Sequence, residues 1–222
     1  MEKDKISVFQ KTFLLFIIGQ VCFVLATISM AESLKILPRW LSGFSIFEVI
    51  GCVVFFIALL RTRFINQSLK LSFYTFCTFL IALIFCQVCK TSNDDFFLVL
   101  GKGLVWSVDM LFCITYLYFF HGCYRLFLEA KQIHEVKHLK ASFIAYAVLY
   151  VTYIVFNYLS TASFVVSNMF LNRFFLYGSI AIMVGLRVFT LVALIILAVK
   201  MNKKQKKGEE NGSRKEAKEI TE

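Results

Sequence analysis

Proline occurs once in this chain, tryptophan twice and histidine three times, and 14 acidic residues stand against 24 Lys and Arg. One Pro and ten Gly leave no stretch long or flexible enough to act as a linker, so no attached soluble module is expected. The shortage of acids produces a net charge of +10. The basic residues lie in short segments beside apolar runs, however, and form no basic domain that could present a groove-reading element. Nucleic acid is therefore not an expected partner. No Gly-rich phosphate loop, Ser/His/Asp set or pair of carboxylates suited to acid–base work occurs in a usable place, which excludes most enzyme classes. The seven cysteines, Cys22, Cys52, Cys77, Cys86, Cys89, Cys113 and Cys123, lie in or at the ends of apolar runs. They read as small core hydrophobes rather than as a disulfide framework.

What fills the chain instead is apolar. Hydrophobic residues make up 59% of it and aromatic residues 17%, with 26 Phe and a mean hydropathy of +0.74. A water-soluble domain of 222 residues could not hide that much apolar surface, so the solvent must be a bilayer. Runs near the ~20 residues that a transmembrane helix needs occur at Thr12–Met30, Phe44–Leu60, Leu71–Cys89, Leu98–His121, Ala141–Leu159 and Phe174–Val199. The expected fold is all-α, a polytopic membrane protein of six transmembrane helices. The first run follows acidic residues and precedes no small-x-small cleavage site, so it is expected to remain as a helix.

Lys and Arg cluster on alternate flanks. Three precede the first run, three lie in the second connection, four in the fourth and eight beyond Val199, against five (Lys35, Arg39, Lys90, Lys102, Arg173) on the other face. Positive residues stay cytoplasmic, which places both termini in the cytoplasm of a cell in whose surface membrane the chain sits. Residues 1–199 read as the transmembrane domain and 200–222 as a charged, disordered cytoplasmic tail. Its opening Lys-rich segment is suited to anionic lipid. Trp40 and Trp106 read as interfacial anchors, and the connection Gly122–Lys140 as an amphipathic interfacial segment.

Four ionisable residues fall inside the runs: Glu48, Lys102, Asp109 and Arg187. Such residues are costly in lipid, by about 2.5–3.5 kcal/mol on insertion scales, and face the bundle interior. Counted from the far end of each run at ~1.5 Å per residue, Glu48 and Lys102 lie at similar depth, and Asp109 and Arg187 lie together near the midplane. Two intramembrane pairs are expected, Glu48 with Lys102 and Asp109 with Arg187. Lys102, Trp106, Asp109, Cys113 and Tyr116 share one helical face, which should look inward. Gly101 and Gly103 are a reason to expect a delayed helix start there.

Two motifs match chemical patterns. His134, Glu135 and His138 spell HExxH, in which two His one turn apart hold zinc while the Glu activates water. Lys137 inside the motif and the lack of a downstream third ligand before Glu209 count against it, with Glu129 or His121 the upstream substitutes. Cys86 and Cys89 form a CxxC that could exchange disulfides, but no second pair accompanies it. The sequence thus points first to a transport-type or transport-accessory subunit for an ion or small solute, built on the Asp109–Arg187 pair and needing no cofactor. A structural or regulatory subunit of a membrane complex, with a partner subunit but no ligand, is the second reading. A zinc metalloprotease, the one enzymatic option, is the third.

Overall fold

The computed structural model describes the backbone of residues 2–32, 46–91, 94–129, 133–165 and 169–219, and within them the side chains of 5–27, 46–89, 94, 96–97, 100–101, 104–105, 107–129, 136–160, 162 and 169–201. Those residues form six helices and, among them, no strand: α1 Glu2–Glu32, α2 Ile46–Thr62, α3 Gln67–Thr91, α4 Asp95–Glu129, α5 Ile133–Val165 and α6 Met169–Glu219. Helices suit a chain in lipid because every backbone group is satisfied within the segment. The starts of two helices are set by side chains. Asn66 Oδ1 accepts from the Leu69 amide at 2.9 Å ahead of α3, and Asp94 Oδ1 accepts from the Phe96 amide at 2.9 Å ahead of α4. Threonines inside the helices return their hydroxyls to the carbonyl one turn back, as Thr62 does to Ala58 at 2.9 Å and Thr190 to Leu186 at 2.8 Å.

Five helices are long and apolar enough to cross a membrane. The sixth, α2, has 17 residues, at the short limit for a span. The chain is a polytopic all-α membrane protein. Several helices outrun the apolar segments that announce them. α4 passes through Gly101, Lys102 and Gly103 without interruption, so the glycines do not delay its start. The expected interfacial segment is not a separate element either: α4 continues to Glu129 and α5 begins at Ile133. Its Leu126 and Leu139 are buried in the core at 3% and 1% exposure, because the apolar stripe continues into the bundle. α6 continues as helix to Glu219, past the expected boundary at 199. Trp40 and the side chain of Trp106 lie outside the described residues.

Consecutive helices pack on one another, and α6 packs on α1 to close the ring. Contacts pair ascending with descending residue numbers, so the helices alternate in direction: Gly19 with Phe55 and Phe23 with Gly51, Asn66 with Gly122 and Ser72 with Thr115, Asp109 with Tyr153 and His121 with Phe143, Phe156 with Phe174 and Ser160 with Asn172. We term the end at which α1 begins the near end and the other the far end. Large apolar side chains such as Leu14, Ile81, Ile84, Val148, Tyr158 and Phe170 stand exposed around the outside. A lipid-facing surface explains them, since contiguous apolar surface of this kind is not sustained in water.

Close approach of the helices rests on small residues, as is usual where lipid supplies no hydrophobic drive between helices. A Cβ at Gly122 would lie 2.7 Å from Leu69 Cγ and 3.0 Å from the Leu69 amide, so α4 and α3 meet there at backbone distance. At Gly51 a Cβ would lie 3.1 Å from the Phe23 ring, which sets α2 against α1.

A polar cavity as the candidate functional site

Three of the four intramembrane charges converge. Glu48 from α2, Asp109 from α4 and Arg187 from α6 line one cavity of about 190 Å³ together with Phe23 of α1, Cys86 and Gln87 of α3, and Phe112 of α4. This is the inward seam of the second, fourth and sixth helices, widened by contributions from the first and third. The volume holds several waters or one small solute.

Each charge has a local reason to be tolerated. Glu48 is 8% exposed and occupies the first turn of α2, where the positive end of the helix dipole favours a carboxylate. Asp109 Oδ2 accepts a hydrogen bond from the Tyr153 hydroxyl of α5 at 2.8 Å. Arg187 reaches across to α1: Nη1 donates to the Phe23 carbonyl at 3.0 Å and to the Thr27 hydroxyl at 2.7 Å. Its guanidinium also lies 5.5 Å from the centroid of the Phe112 ring, within cation–π range. The Arg187 Nε is buried and makes no hydrogen bond.

Beneath the cavity a second network crosses the bundle. Gln20, fully buried, donates from Nε2 to the Arg187 carbonyl at 2.7 Å and accepts at Oε1 from the Tyr116 hydroxyl. One side chain of α1 therefore ties α4 to α6. The void around Gln20, Cys113, Tyr116, Tyr146 and Arg187 is about 10 Å³, close to the volume of a single water probe. Passage from the cavity toward the near end is closed by this layer.

Asp109 and Arg187, expected as an ion pair, both line this cavity, and each holds hydrogen bonds to other helices. The Lys102 side chain lies outside the described residues, so its expected pairing with Glu48 does too. Gln20, Thr27 and Tyr153 were not singled out from the sequence. A neutral amide in the middle of an apolar run was the available signal for Gln20, the only Gln between Thr12 and Met30.

Of the two motifs, the CxxC contributes Cys86 to the cavity wall, while HExxH falls at the start of α5. The side chains of His134 and Glu135 are outside the described residues. His138 lies against α6 near Ala193 and Lys200, with its Nε2 buried and making no hydrogen bond. His121 Nδ1 is 2.8 Å from Ser68 Oγ at the α3–α4 contact. Among the described residues no three His, Cys, Asp or Glu side chains are gathered as a metal site. Cys86 and Cys89 are both buried thiols, and the Cys86 thiol donates to the Gly101 carbonyl at 3.3 Å. The pair sits in the last turns of α3, whereas reactive CxxC thiolates are favoured at helix N-termini. No family model, no curated protein and no solved structure matches this chain significantly.

Proposed function

We propose that the chain is a transport-type or transport-accessory membrane subunit that receives an ion or small solute in the cavity between Glu48, Asp109 and Arg187. One observation carries this reading: three ionisable side chains from three helices line a single void of about 190 Å³ inside an otherwise apolar bundle. Ionic groups kept only for register would favour close packing around them, because any residual void forfeits packing energy. The positive-inside distribution supports a cell-membrane location with both termini cytoplasmic. Movement through the bundle then requires the layer of Gln20 and Tyr116 to open toward the cytoplasm.

The test is uptake of protons, potassium ions and methylammonium into proteoliposomes holding the parent, Asp109→Asn or Arg187→Gln. The reading expects uptake of at least one of these by the parent and a loss of about tenfold or more in both variants, the scale set by removing a charge that meets the solute directly. Uptake equal to empty vesicles for every probe, or uptake indifferent to both substitutions, contradicts it.

A further inference from the structure

In α1 to α4 the core toward the near end is built on Phe, as in Phe16, Phe55, Phe119 and Phe127. α5 differs. Among the described residues its buried aromatic side chains are Tyr146, Tyr150 and Tyr153, with Ser142 buried beside them. Phe would fill the same space without a hydroxyl to satisfy in an apolar interior. His138, Ser142, Tyr146, Tyr150 and Tyr153 recur at intervals of four, four, four and three residues, which keeps them on one face of the helix. At ~1.5 Å per residue this polar line is about 22 Å long.

Its two ends are distinct. At one end the Tyr153 hydroxyl donates to Asp109 Oδ2 in the cavity at 2.8 Å, and Tyr150 lies beside both Asp109 and Cys113. Midway the Cys113 thiol and the Tyr146 hydroxyl face one another, next to the void of about 10 Å³ that Gln20 and Tyr116 also line. At the other end His138 lies near Lys200 of α6, and its Nε2 is buried and makes no hydrogen bond. Neighbours four residues apart are separated by ~6 Å along the axis, close to the span of one water between two hydroxyls at ~2.8 Å each.

A solute cannot follow this line, because the void beside Tyr146 has room for one water at most. A proton can. Each hydroxyl takes a proton on its oxygen and releases its own to the next group, so charge moves while heavy atoms stay in place. Chains of ionisable and hydroxyl side chains are the usual device for moving protons inside a membrane.

We infer that the inward face of α5 is a proton path from Asp109 through Tyr153, Tyr150, Tyr146 and Ser142 to His138, and that the ion received in the cavity is a proton. The inference rests on the cavity being a binding site, and it names the ion. The Asp109 carboxyl gives its proton to the Tyr153 oxygen and becomes a carboxylate. The proton displaced at each hydroxyl passes on, and the last arrives on His138 Nε2, from which it leaves at the near end. For a solute the layer of Gln20 and Tyr116 must open; for a proton it need not.

The experiment uses the full chain in proteoliposomes, with a potassium diffusion potential set by valinomycin and proton entry read from an entrapped pH-sensitive dye. The parent should admit protons well above empty vesicles. Entry should fall about tenfold or more in Tyr146→Phe and in His138→Gln, a barrier higher by about 1.4 kcal/mol. Tyr158→Phe, on the exposed side of α5, should keep the parental rate. The path variants are first required to match the parent in thermal unfolding, and Ser142→Ala replaces either one that does not. Entry unchanged in the path variants, or reduced equally in Tyr158→Phe, overturns the inference. So does a parent that admits no protons yet takes up potassium ions or methylammonium in an Asp109-dependent way, an outcome that leaves the cavity reading standing. A parent that moves none of the three overturns both.

Discussion

Near the end at which α1 begins, Phe16 meets Phe119 with ring centroids 4.6 Å apart, Phe9 meets Phe127 edge-on at 5.9 Å, and Phe55 contacts Phe16, Phe76 and Phe119. Toward the far end the same helices instead present Glu48, Cys86, Gln87, Asp109 and Arg187 around a void. The near half is closed by aromatic packing and the far half is held open by polar groups. Tyr116 marks the boundary: its ring packs against Phe55 and Phe112 while its hydroxyl donates to Gln20. In lipid the hydrophobic effect does not bring helices together, so dense aromatic contact on one side supplies association energy that a cavity on the other side can spend. The difference places dense aromatic packing at one end and the polar cavity at the other.

The largest effect should come from breaking the aromatic half. Phe55→Ala is expected to cost about 2–3 kcal/mol in reversible unfolding in bicelles. This is less than a water-soluble core would lose, because the unfolded segments remain in lipid. Gly122→Ala should follow at about 1–2 kcal/mol, since the added methyl meets the Leu69 amide as well as its side chain and the backbone cannot turn aside. Gly122 and Leu69 do not line the cavity, so ligand binding by the folded fraction of Gly122→Ala should match the parent, whereas Phe55 packs on the cavity-lining Phe23 and its loss should reach the wall.

At the boundary, Gln20→Leu removes the amide that bonds both Tyr116 and the Arg187 carbonyl. A stability loss of about 1 kcal/mol is expected, in line with hydrogen bonds measured inside membranes, together with faster leakage through the near half in proteoliposomes. Loss of stability with no change in leakage would show that this layer is not the barrier. The smallest effect belongs to Tyr153→Phe, which removes the hydroxyl that bonds Asp109 and should cost about 0.6 kcal/mol. Its value lies in sharpening the contrast, because uptake should change more than unfolding does.

Much of this division could be read from the sequence. Apolar runs located all six helices; depth matching put Asp109 and Arg187 at one level and Glu48 at a shallower one with Lys102, on an inward seam of the second, fourth and sixth helices. What escaped was rotation about each helix axis. Arg187 reaches α1 and Asp109 reaches Tyr153 on α5 because of how the helices are turned, and no one-dimensional depth count contains that angle. The aromatic half was invisible for a related reason. With 26 Phe spread over nearly every run, composition does not separate Phe55, which is fully buried, from Phe170, which is 78% exposed. Helix ends also ran beyond the apolar segments, since Asp95, Glu129 and Ile133 continue or begin a helix as readily in the interface as in the hydrocarbon. The Gly101–Lys102–Gly103 sequence weakens helix propensity by roughly 1 kcal/mol per glycine, too little against an uninterrupted span on both sides.

The central claim is that the far-half charges serve a ligand rather than the fold, and a double-mutant cycle addresses it most directly. Asp109→Asn, Arg187→Gln and the double variant are compared for unfolding stability and for uptake in proteoliposomes. Because Asp109 bonds Tyr153 and Arg187 bonds Phe23 and Thr27, the stability changes should be nearly additive, with a coupling below about 1 kcal/mol, while uptake falls in all three. Single variants that fail to fold and a double variant that recovers would contradict the account, because the two charges would then be a structural pair.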